Sequence, residues 1–164
     1  MKKIGIFYGS DGGNAHDAAD RIAKLLENKV EVYDIASASK EKVLEFDSLI
    51  LVTSTYGAGD LQSDWEDIID DFDTSDFAGK TIALVGIGDQ DTYGDTFCDS
   101  IFHLYEKVKE GKVLGETDLD GYDFSDSKAI VDGKFVGLVL DYDNQDDLTD
   151  DRIKNWVERI QAQL

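Results

Sequence analysis

Proline is absent from this chain of 164 residues, and cysteine occurs only once, as Cys98. Without proline, the turns must be built from the 15 glycines and from Asp, Asn and Ser. A single cysteine cannot form an internal disulfide, which is consistent with a reducing compartment such as the cytoplasm. We expect Cys98 to be a small buried residue on a helix rather than a reactive thiol.

Long apolar segments are missing as well. The chain has no apolar run of roughly 18 residues, the length that can cross a bilayer, and Met1-Lys2-Lys3 leads directly into a strand-like stretch. The sequence therefore predicts neither a signal peptide nor a membrane span, and it favours a cytoplasmic location. An apolar content of 41% is enough for the core of one globular domain, residues 1–164.

Basic residues are scarce: the chain has 16 Lys and Arg against 36 Asp and Glu, which gives a formal net charge of −20. Nucleic acid and anionic membranes would be repelled. The imbalance is also local, because residues 43–106 contain 15 acidic residues and Lys80 as the one Lys or Arg. Such an acidic face suits docking on a positively charged protein partner by electrostatic steering.

Several catalytic and binding motifs are not found. No lysine follows the N-terminal glycines as in a nucleotide P-loop, and their spacing is not that of a dinucleotide-binding motif. The paired acids and the lysine of a receiver domain are missing from the corresponding strand ends. His16 and His103 lie within predicted helices, where structural or surface roles are favoured. Residues 141–146 lack the glycine and the distal glutamate of a calcium loop. We predict no catalytic residue and no metal site.

The N-terminal stretch, in contrast, joins a strand to a helix through a turn suited to an anion. Ile4–Tyr8 is strand-like, Gly9–Asn14 is turn-like, and an apolar helical period follows. The free N–H groups and the dipole of a helix start favour an anion. No Lys or Arg lies between Tyr8 and Asp20, so a phosphate would be held by neutral donors from Ser10, Gly12, Gly13 and Asn14. By itself, the segment is equally consistent with a tight turn that needs glycine.

Strand-like and helix-like segments alternate along the rest of the chain. Further strands are predicted at residues 30–34, 49–52, 81–86, 112–115 and 135–140. The polar segment 116–134 looks like an insertion that interrupts the fifth strand. Helices are predicted from the cap Ser39, from the apolar faces Trp65–Phe72 and Phe97–Val108, and from the cap Thr149. This alternation predicts a parallel sheet covered by helices on both faces.

The loops after strands one, three and four should meet at one edge of that sheet. Ligands of doubly wound sheets bind beyond the carboxyl ends of the strands, where the winding direction switches. These three loops are the richest in Gly, Ser, Thr and Tyr, and two of them carry Tyr56 and Tyr93. Two aromatic faces beside a phosphate site suit a flat aromatic cofactor that ends in phosphate. The tyrosines could equally close the loops onto the core.

At this point the whole chain resembles the flavodoxin family, and its long-chain branch in particular. Ser10-Asp-Gly-Gly-Asn-Ala15 is similar to the phosphate loop of the family, although Gly12 and Ala15 replace hydroxyl residues. The segments that resemble the two flavin loops are Ser54-Thr-Tyr-Gly-Ala-Gly-Asp-Leu-Gln-Ser-Asp-Trp65 and Gly88-Asp-Gln-Asp-Thr-Tyr93. The inner stacking position, often Trp in the family, is Tyr56. Leu61–Trp65, Asp141-Tyr-Asp-Asn-Gln-Asp146 and the strand-five insertion are similar to the long-chain branch.

The resemblance implies a fold, a cofactor and a set of binding residues. The fold is α/β, a doubly wound five-stranded parallel sheet of order 2-1-3-4-5 with helices on both faces. The cofactor is non-covalently bound FMN. Its phosphate would be held by Ser10, Asp11, Gly12, Gly13, Asn14 and Ala15, and its ring sandwiched by Tyr56 and Tyr93. The ring edge would be lined by Ser54, Thr55, Gly57, Ala58, Gly59, Gly88, Asp89 and Gln90, and the ribityl chain approached by Asp143.

By the same resemblance, the protein is a low-potential one-electron carrier that uses the semiquinone and hydroquinone states of the flavin, and not an enzyme. Its partners would be redox proteins with basic docking patches, of the flavodoxin or ferredoxin reductase or oxidoreductase type, and the chain would be a monomer. One alternative is an FMN-dependent NAD(P)H reductase of a small quinone or azo compound. Another is a binding module without a cofactor.

Overall fold

The apolar runs of the sequence form a central sheet. The computed structural model describes residues 3–56 and 59–164. Its strands are β1 (Ile4–Gly9), β2 (Val30–Asp34), β3 (Ser48–Tyr56), β4 (Asp60–Leu61), β5 (Thr81–Ile87), β6 (Lys112–Leu114), β7 (Ile130–Val131), β8 (Lys134–Phe135) and β9 (Leu138–Leu140). The central strands β3 and β5 are buried on both faces, as their continuous apolar runs predict.

The main sheet is parallel and has the order β2-β1-β3-β5-β6. In terms of the five main strands this is the predicted order 2-1-3-4-5, which is confirmed. Strand β6 pairs with Thr81–Ala83 of β5, and β9 pairs with Val85–Ile87 further along the same strand. The chain between β6 and β9, residues 115–137, is called the inserted segment below. It contains the antiparallel hairpin of β7 and β8.

Helices cover both faces of the sheet. They are α1 (Asn14–Leu26), α2 (Lys40–Leu44), α3 (Ser63–Ile69), α4 (Ser100–Val108), α5 (Tyr142–Gln145) and α6 (Thr149–Ile160). Buried residues of α1 and α6 pack on one face, and those of α3 and α4 pack on the other. Within the described part of the chain, no helix has the length and apolarity that a membrane crossing requires.

The two predicted helix caps have different outcomes. Ser39 caps α2, because its Oγ accepts the N–H of Lys42 at 3.1 Å, as predicted. The prediction for Thr149 is wrong. A 3₁₀ turn, Asp146–Leu148, runs directly into α6, so Leu148 occupies the capping position and Thr149 is already helical. Its side chain is fully buried, and its hydroxyl has no hydrogen-bond partner among the described residues.

Two predicted helix faces extend beyond the observed helices. Phe72 follows the end of α3, where Asp71 and Phe72 donate to carbonyls three residues back and tighten the chain into a turn. Phe97 precedes α4, because Cys98 has a φ of 54° and a helix cannot run through that conformation. Cys98 is therefore in a turn and not on a helix. It is fully buried, as expected, and burial raises the pKa of its thiol well above the ordinary value.

Candidate functional site

A cavity of about 480 Å³ lies beyond the carboxyl ends of β1, β3 and β5. The parallel register pairs Gly9 with Thr53 and Ser54 with Ile87, which brings the three following loops to one edge. This volume is in the range of small-molecule sites. We call the cavity the crevice, and its lining residues are Asp11, Gly12, Asn14, Ser54, Thr55, Ile87, Gly88, Asp89, Tyr93 and Asp143.

The turn after β1 presents the start of α1 to the crevice. Gly13, in the left-handed region with a φ of 92°, precedes the helix, and no side chain caps it. The Ser10 Oγ accepts the Gly13 N–H at 2.9 Å, which closes the turn. Cβ atoms built on Gly12 and Gly13 would meet no atom within 4 Å, so this surface is open. The first N–H groups of the 13-residue helix can therefore reach an anion.

Ala15, one of the predicted phosphate-site residues, lies differently from its neighbours. Its side chain is fully buried in the core between α1 and the sheet. Asp11, Gly12 and Asn14 line the crevice, whereas Ala15 does not. Because the second residue of α1 points its Cβ toward the sheet, Ala15 has only its backbone N–H to offer an anion.

The loop after β3 is built as a hairpin. Strand β4 pairs antiparallel with the end of β3, Thr55 with Leu61 and Tyr56 with Asp60. Ser54 and Thr55 line the crevice, and the Thr55 hydroxyl lies 2.5 Å from the Ser100 hydroxyl. Gly59 is buried against Asp99 rather than exposed to the crevice, since a Cβ there would lie 2.7 Å from the Asp99 carboxylate. The predicted site residues Gly57 and Ala58, and the side chain of Tyr56, lie outside the described residues.

The loop after β5 forms the opposite wall. Gly88 donates its N–H to the Leu140 carbonyl at 3.0 Å, and a Cβ on it would lie 2.7 Å from the Cys98 sulfur. The Asp89 carboxylate accepts the N–H groups of Asp91 and Thr92, which shapes the turn that leads to Tyr93. Tyr93 is 42% exposed and lines the crevice, so its ring is available to a ligand and is not closed onto the core.

Gln90 does not line the crevice; it supports this loop through hydrogen bonds to residues outside the loop. Its backbone N–H and its Nε2 both donate to Asp141 Oδ2, at 3.0 and 2.7 Å, and its Oε1 accepts the N–H of Asp123. Asp141 is fully buried and also accepts hydrogen bonds from the backbone and the side chain of Asn144. The Gln90 side chain thus supports the loop, and a contact of this residue with a ring edge stays a prediction. Asp141, which the sequence assigned to no site, holds the loop.

Gln62 is a second supporting residue that the sequence did not reveal. It is fully buried and caps α3, since its Oε1 accepts the N–H groups of Asp64 and Trp65. Its Nε2 donates to Asp11 Oδ1 at 3.2 Å, which connects α3 to the turn after β1. A Cβ on Gly9 would lie 2.2 Å from Gln62 Oε1, so glycine is required beside it. Glutamine is not a preferred N-cap, and propensity therefore gave no signal.

The crevice is acidic. Asp11, Asp89 and Asp143 line it, and no Lys or Arg is among its described lining residues. Burial and the charges of Asp89 and Asp141 raise the pKa of Asp143. Burial acts to raise the pKa of Asp89, but hydrogen bonds from Thr92, Asn144 and Asp91 outweigh it and lower that pKa. Across residues 3–56 and 59–164, no group of three His, Cys, Asp or Glu side chains is placed to hold a metal ion.

The fold and the crevice define the class: a doubly wound α/β protein with its ligand-sized crevice at the switch point beyond the strand ends. The family model described as Flavodoxin matches residues 6–156. The flavodoxin of Helicobacter pylori is 60% identical over 162 residues, which cover 99% of this chain and 98% of that protein. The flavodoxin of Nostoc sp. (strain PCC 7120) is 46% identical over 166 residues, covering 99% and 98%. The chain belongs to the flavodoxin family.

A solved structure supports the same assignment. The Fusobacterium nucleatum flavodoxin bound to flavin mononucleotide has a TM-score of 0.94 to this chain at 37% sequence identity. The alignment covers 100% of this chain and 99% of that one. The likeness therefore extends over every element that surrounds the crevice, including the inserted segment.

Proposed function

We propose that this protein binds FMN in the crevice and carries electrons, one at a time, between redox proteins. The observation that carries the proposal is the crevice itself, which combines an uncapped helix start, an exposed tyrosine and an acidic rim. Membership of a family of electron-transfer proteins supports it, as does the FMN bound to the Fusobacterium relative.

The residues of the first turn fit a phosphate. Ser10, Asp11, Gly12, Gly13 and Asn14 surround the start of α1, and Ala15 contributes its N–H. Because no Lys or Arg lines the crevice among the described residues, the phosphate would be held by backbone and side-chain dipoles. The open space beside Gly12 and Gly13 gives it room.

The other two loops fit a flat ring system. Tyr93 offers an exposed aromatic face on one side, and we assign the other face to Tyr56. Asp143 lies on the crevice wall, and we assign it to the ribityl chain. We assign the ring edge to Ser54, Thr55, Gly57, Ala58, Gly88 and Asp89, whereas Gly59, buried against Asp99, and Gln90, bonded to Asp141, support these loops.

FMN, when bound, supplies the redox chemistry, and the protein supplies binding, orientation and electric field. The crevice acids bias that field against additional negative charge. One fixed charge about 10 Å away disfavours an added electron by roughly 1.7 kcal/mol at an effective dielectric of ~20. Asp11, Asp89 and Asp143 therefore favour a low reduction potential. The crevice has no Lys or Arg among its described lining residues, so phosphate binding depends on dipoles. For the same reason no positive charge among them stabilises the reduced flavin, and the reduced protein is a strong reductant.

The surface of α3 fits encounter with a basic partner. Glu66 and Asp67 of α3 are exposed, as are Asp70 and Asp71 in the turn that follows it. Glu66 and Asp70 line one cavity with Asp60 and Leu61 of the hairpin that follows β3. These charges would steer the protein onto positively charged patches of its electron donor and acceptor. We propose that the protein works in the cytoplasm as a monomer, without an enzymatic activity of its own.

Redox titration of the purified protein tests the proposal. We expect a yellow protein that contains one FMN per chain and is reduced in two separate one-electron steps. Steady NAD(P)H oxidation by the protein alone would favour a reductase instead. A colourless protein that does not take up added FMN would point to a binding module without a cofactor.

A further inference from the structure

A second cavity lies between the inserted segment and helix α6. Its volume is about 370 Å³, and no described residue lines both this cavity and the crevice. Thr117 and Tyr122 of the inserted segment form one wall, Leu138 of β9 lies between, and α6 forms the other wall. The volume is sufficient for a small organic molecule.

Two of the three arginines in the chain, Arg152 and Arg159, line this cavity. Arg21, the third, is paired with Asp17 and Asp150 at 2.8 and 2.7 Å. Arg152 and Arg159 form no ion pair with any described residue, although the chain has 36 acidic residues. Each donates only to a backbone carbonyl of the inserted segment, Arg152 to Gly121 at 3.2 Å and Arg159 to Glu116 at 2.5 Å.

Arg152 also has a buried donor without a partner. Its Nη1 is shielded from solvent and makes no hydrogen bond within the described part of the chain. Its guanidinium carbon lies 4.1 Å from the centre of the Tyr122 ring, so stacking fixes the plane of the group. A guanidinium held in one plane presents its donors in the geometry that carboxylates and phosphates accept.

The rest of the lining is mixed, since Thr117 and Asn155 are polar, while Leu138 and Trp156, each 2% exposed, contribute a small apolar surface. Trp156 donates its indole N–H to the Gly115 carbonyl at 2.8 Å and packs directly on that glycine, where a Cβ would lie 2.6 Å from the indole nitrogen. Leu138 adds an aliphatic surface. Asp118 and Asp120 also line the cavity and, like Arg159, are exposed to water, which screens their charges, whereas Arg152 is half-buried. Asp118 also lies 3.6 Å from the Lys134 Nζ.

We propose that this cavity is a second ligand site that takes a small aromatic anion. The carboxylate or phosphate of the ligand pairs with Arg152 and Arg159, and its ring lies against Leu138 and Trp156. The site does not depend on FMN, because it shares no described wall with the crevice.

Nuclear magnetic resonance on the purified full-length protein tests this site. The probes are benzoate and phenyl phosphate, with benzyl alcohol as the uncharged counterpart. We expect one or both anions to shift the Trp156 indole N–H signal saturably, with a midpoint at about 1 mM or below. The Trp65 indole, bonded to the Val52 carbonyl on the other face of the sheet, is an internal reference that should not shift. Benzyl alcohol should bind at least about tenfold more weakly.

Arginine variants decide whether the anion binds as proposed. Arg159→Gln and Arg152→Gln should each weaken binding by about tenfold or more, because a charge-assisted hydrogen bond is lost. Arg152→Lys, which retains the charge without the planar fork, should give an intermediate loss, and it replaces Arg152→Gln if that variant fails to fold. Arg21→Gln is the matched control and should leave the affinity unchanged. Absence of a saturable shift, or equal affinity in wild type and both cavity variants, would overturn the proposal.

Discussion

Gly12 and Gly13 are adjacent in the turn before α1, but only one of them requires glycine. Gly13 has a φ of 92°, which an L-residue adopts at a cost of roughly 1–2 kcal/mol. Gly12 does not have a positive φ, and the space beside it is open. A side chain at position 12 should therefore leave the stability of the fold unchanged, whereas one at position 13 should lower it.

We predict that Gly12→Ser binds FMN more tightly than the wild type does. Its hydroxyl can donate to the phosphate, and a hydrogen bond to a charged group contributes about 1.5–3 kcal/mol, or tenfold and more in affinity. Gly13→Ser, the same side chain one residue later, should lower stability and give no such gain. Fluorescence titration of the apoprotein with FMN measures both. Weaker binding by a well-folded Gly12→Ser would contradict the assigned phosphate position.

Tyr93 is predicted to cover the flavin ring. Tyr93→Ala should weaken FMN binding several-fold, since aromatic stacking contributes about 0.5–1.5 kcal/mol beyond the buried area. The potential of the second electron step should rise, because the oxidised ring is electron-poor and gains more from the tyrosine than the fully reduced ring does. Tyr93→Phe should behave like the wild type. Unchanged potentials in Tyr93→Ala, measured by redox titration, would place the ring elsewhere.

Asp143 should make the stability of the apoprotein depend on pH. Burial and the charges of Asp89 and Asp141 raise its pKa, so the folded state binds its proton more tightly than the unfolded state does. The ionised carboxylate therefore destabilises the fold at neutral pH, and this cost is lost as the pH falls through the raised pKa. Asp143→Asn should increase the Tm at pH 7, and the gain should shrink toward about pH 4. Asp71→Asn, remote from the crevice, is the control; equal gains in both variants would contradict this account.

At the scale of elements, the inserted segment holds the loop after β5. The Gly94 carbonyl accepts the N–H groups of Ser125 and Asp126 at 2.6 and 3.0 Å, and Gln90 connects Asp123 to the buried Asp141. The crevice wall formed by the loop after β5 thus depends on the inserted segment, whose flanking strands β6 and β9 both pair with β5. The role of this segment in the fold is to position residues 88–94.

Removing the Gln90 side chain should loosen this wall. Gln90→Ala leaves the Asp123 N–H without its acceptor and the buried Asp141 carboxylate without one donor, which should cost about 1–3 kcal/mol of stability. FMN affinity should also fall, because Gly88 and Asp89 are no longer held. Gln145→Ala is a matched control, since Gln145 also bonds to the inserted segment, at the Gly121 carbonyl, but not to the loop. Denaturant unfolding and FMN titration measure the two effects, and equal loss of FMN affinity in both variants would argue against a specific role for Gln90.

At the scale of the whole molecule, acidic residues are concentrated on one helix and the turn after it. Glu66 and Asp67 of α3 and Asp70 and Asp71 of the following turn are exposed with no Lys or Arg among them, whereas α6 carries both acids and bases. Asp64 is not available for steering to the same degree, because its carboxylate accepts a hydrogen bond from Gln62 at 2.7 Å. Encounter with a basic partner should therefore depend on Asp67 and Asp71.

Reversing those charges should slow electron transfer. Asp67→Lys with Asp71→Lys should lower the rate of reaction with a redox partner that has a basic surface, and should flatten the fall of that rate with rising salt. Asp151→Lys with Glu158→Lys makes the same change in net charge on α6 and should have the smaller effect. Stopped-flow kinetics over a range of ionic strength gives both quantities. Equal effects of the two double variants would mean that net charge, and not the α3 face, governs the encounter.

The sequence by itself determined the alternation of the main strands and helices and the edge of the sheet at which the crevice lies. The apolar runs of β3 and β5 are typical of strands buried on both faces, and their alternation with helices predicts a parallel sheet. Glycine-rich loops after β1, β3 and β5 must then meet, because parallel strands end at one edge. These inferences rest on local patterns of polarity, which a sequence displays directly.

Tertiary structure alone decided which side chains face the crevice and which support it. Ala15 and Gln90 lie within segments that line the crevice, but their side chains pack into the core or bond to Asp141. Gln62, within the segment after β3, and Asp141, beyond the three loops, are buried supports, and each bonds to a residue of a distant segment. Hydrogen bonds between residues about 50 positions apart leave no periodic signal in a sequence. Helix ends were misplaced for the same reason, since the turn at Cys98 is formed by packing and not by local propensity.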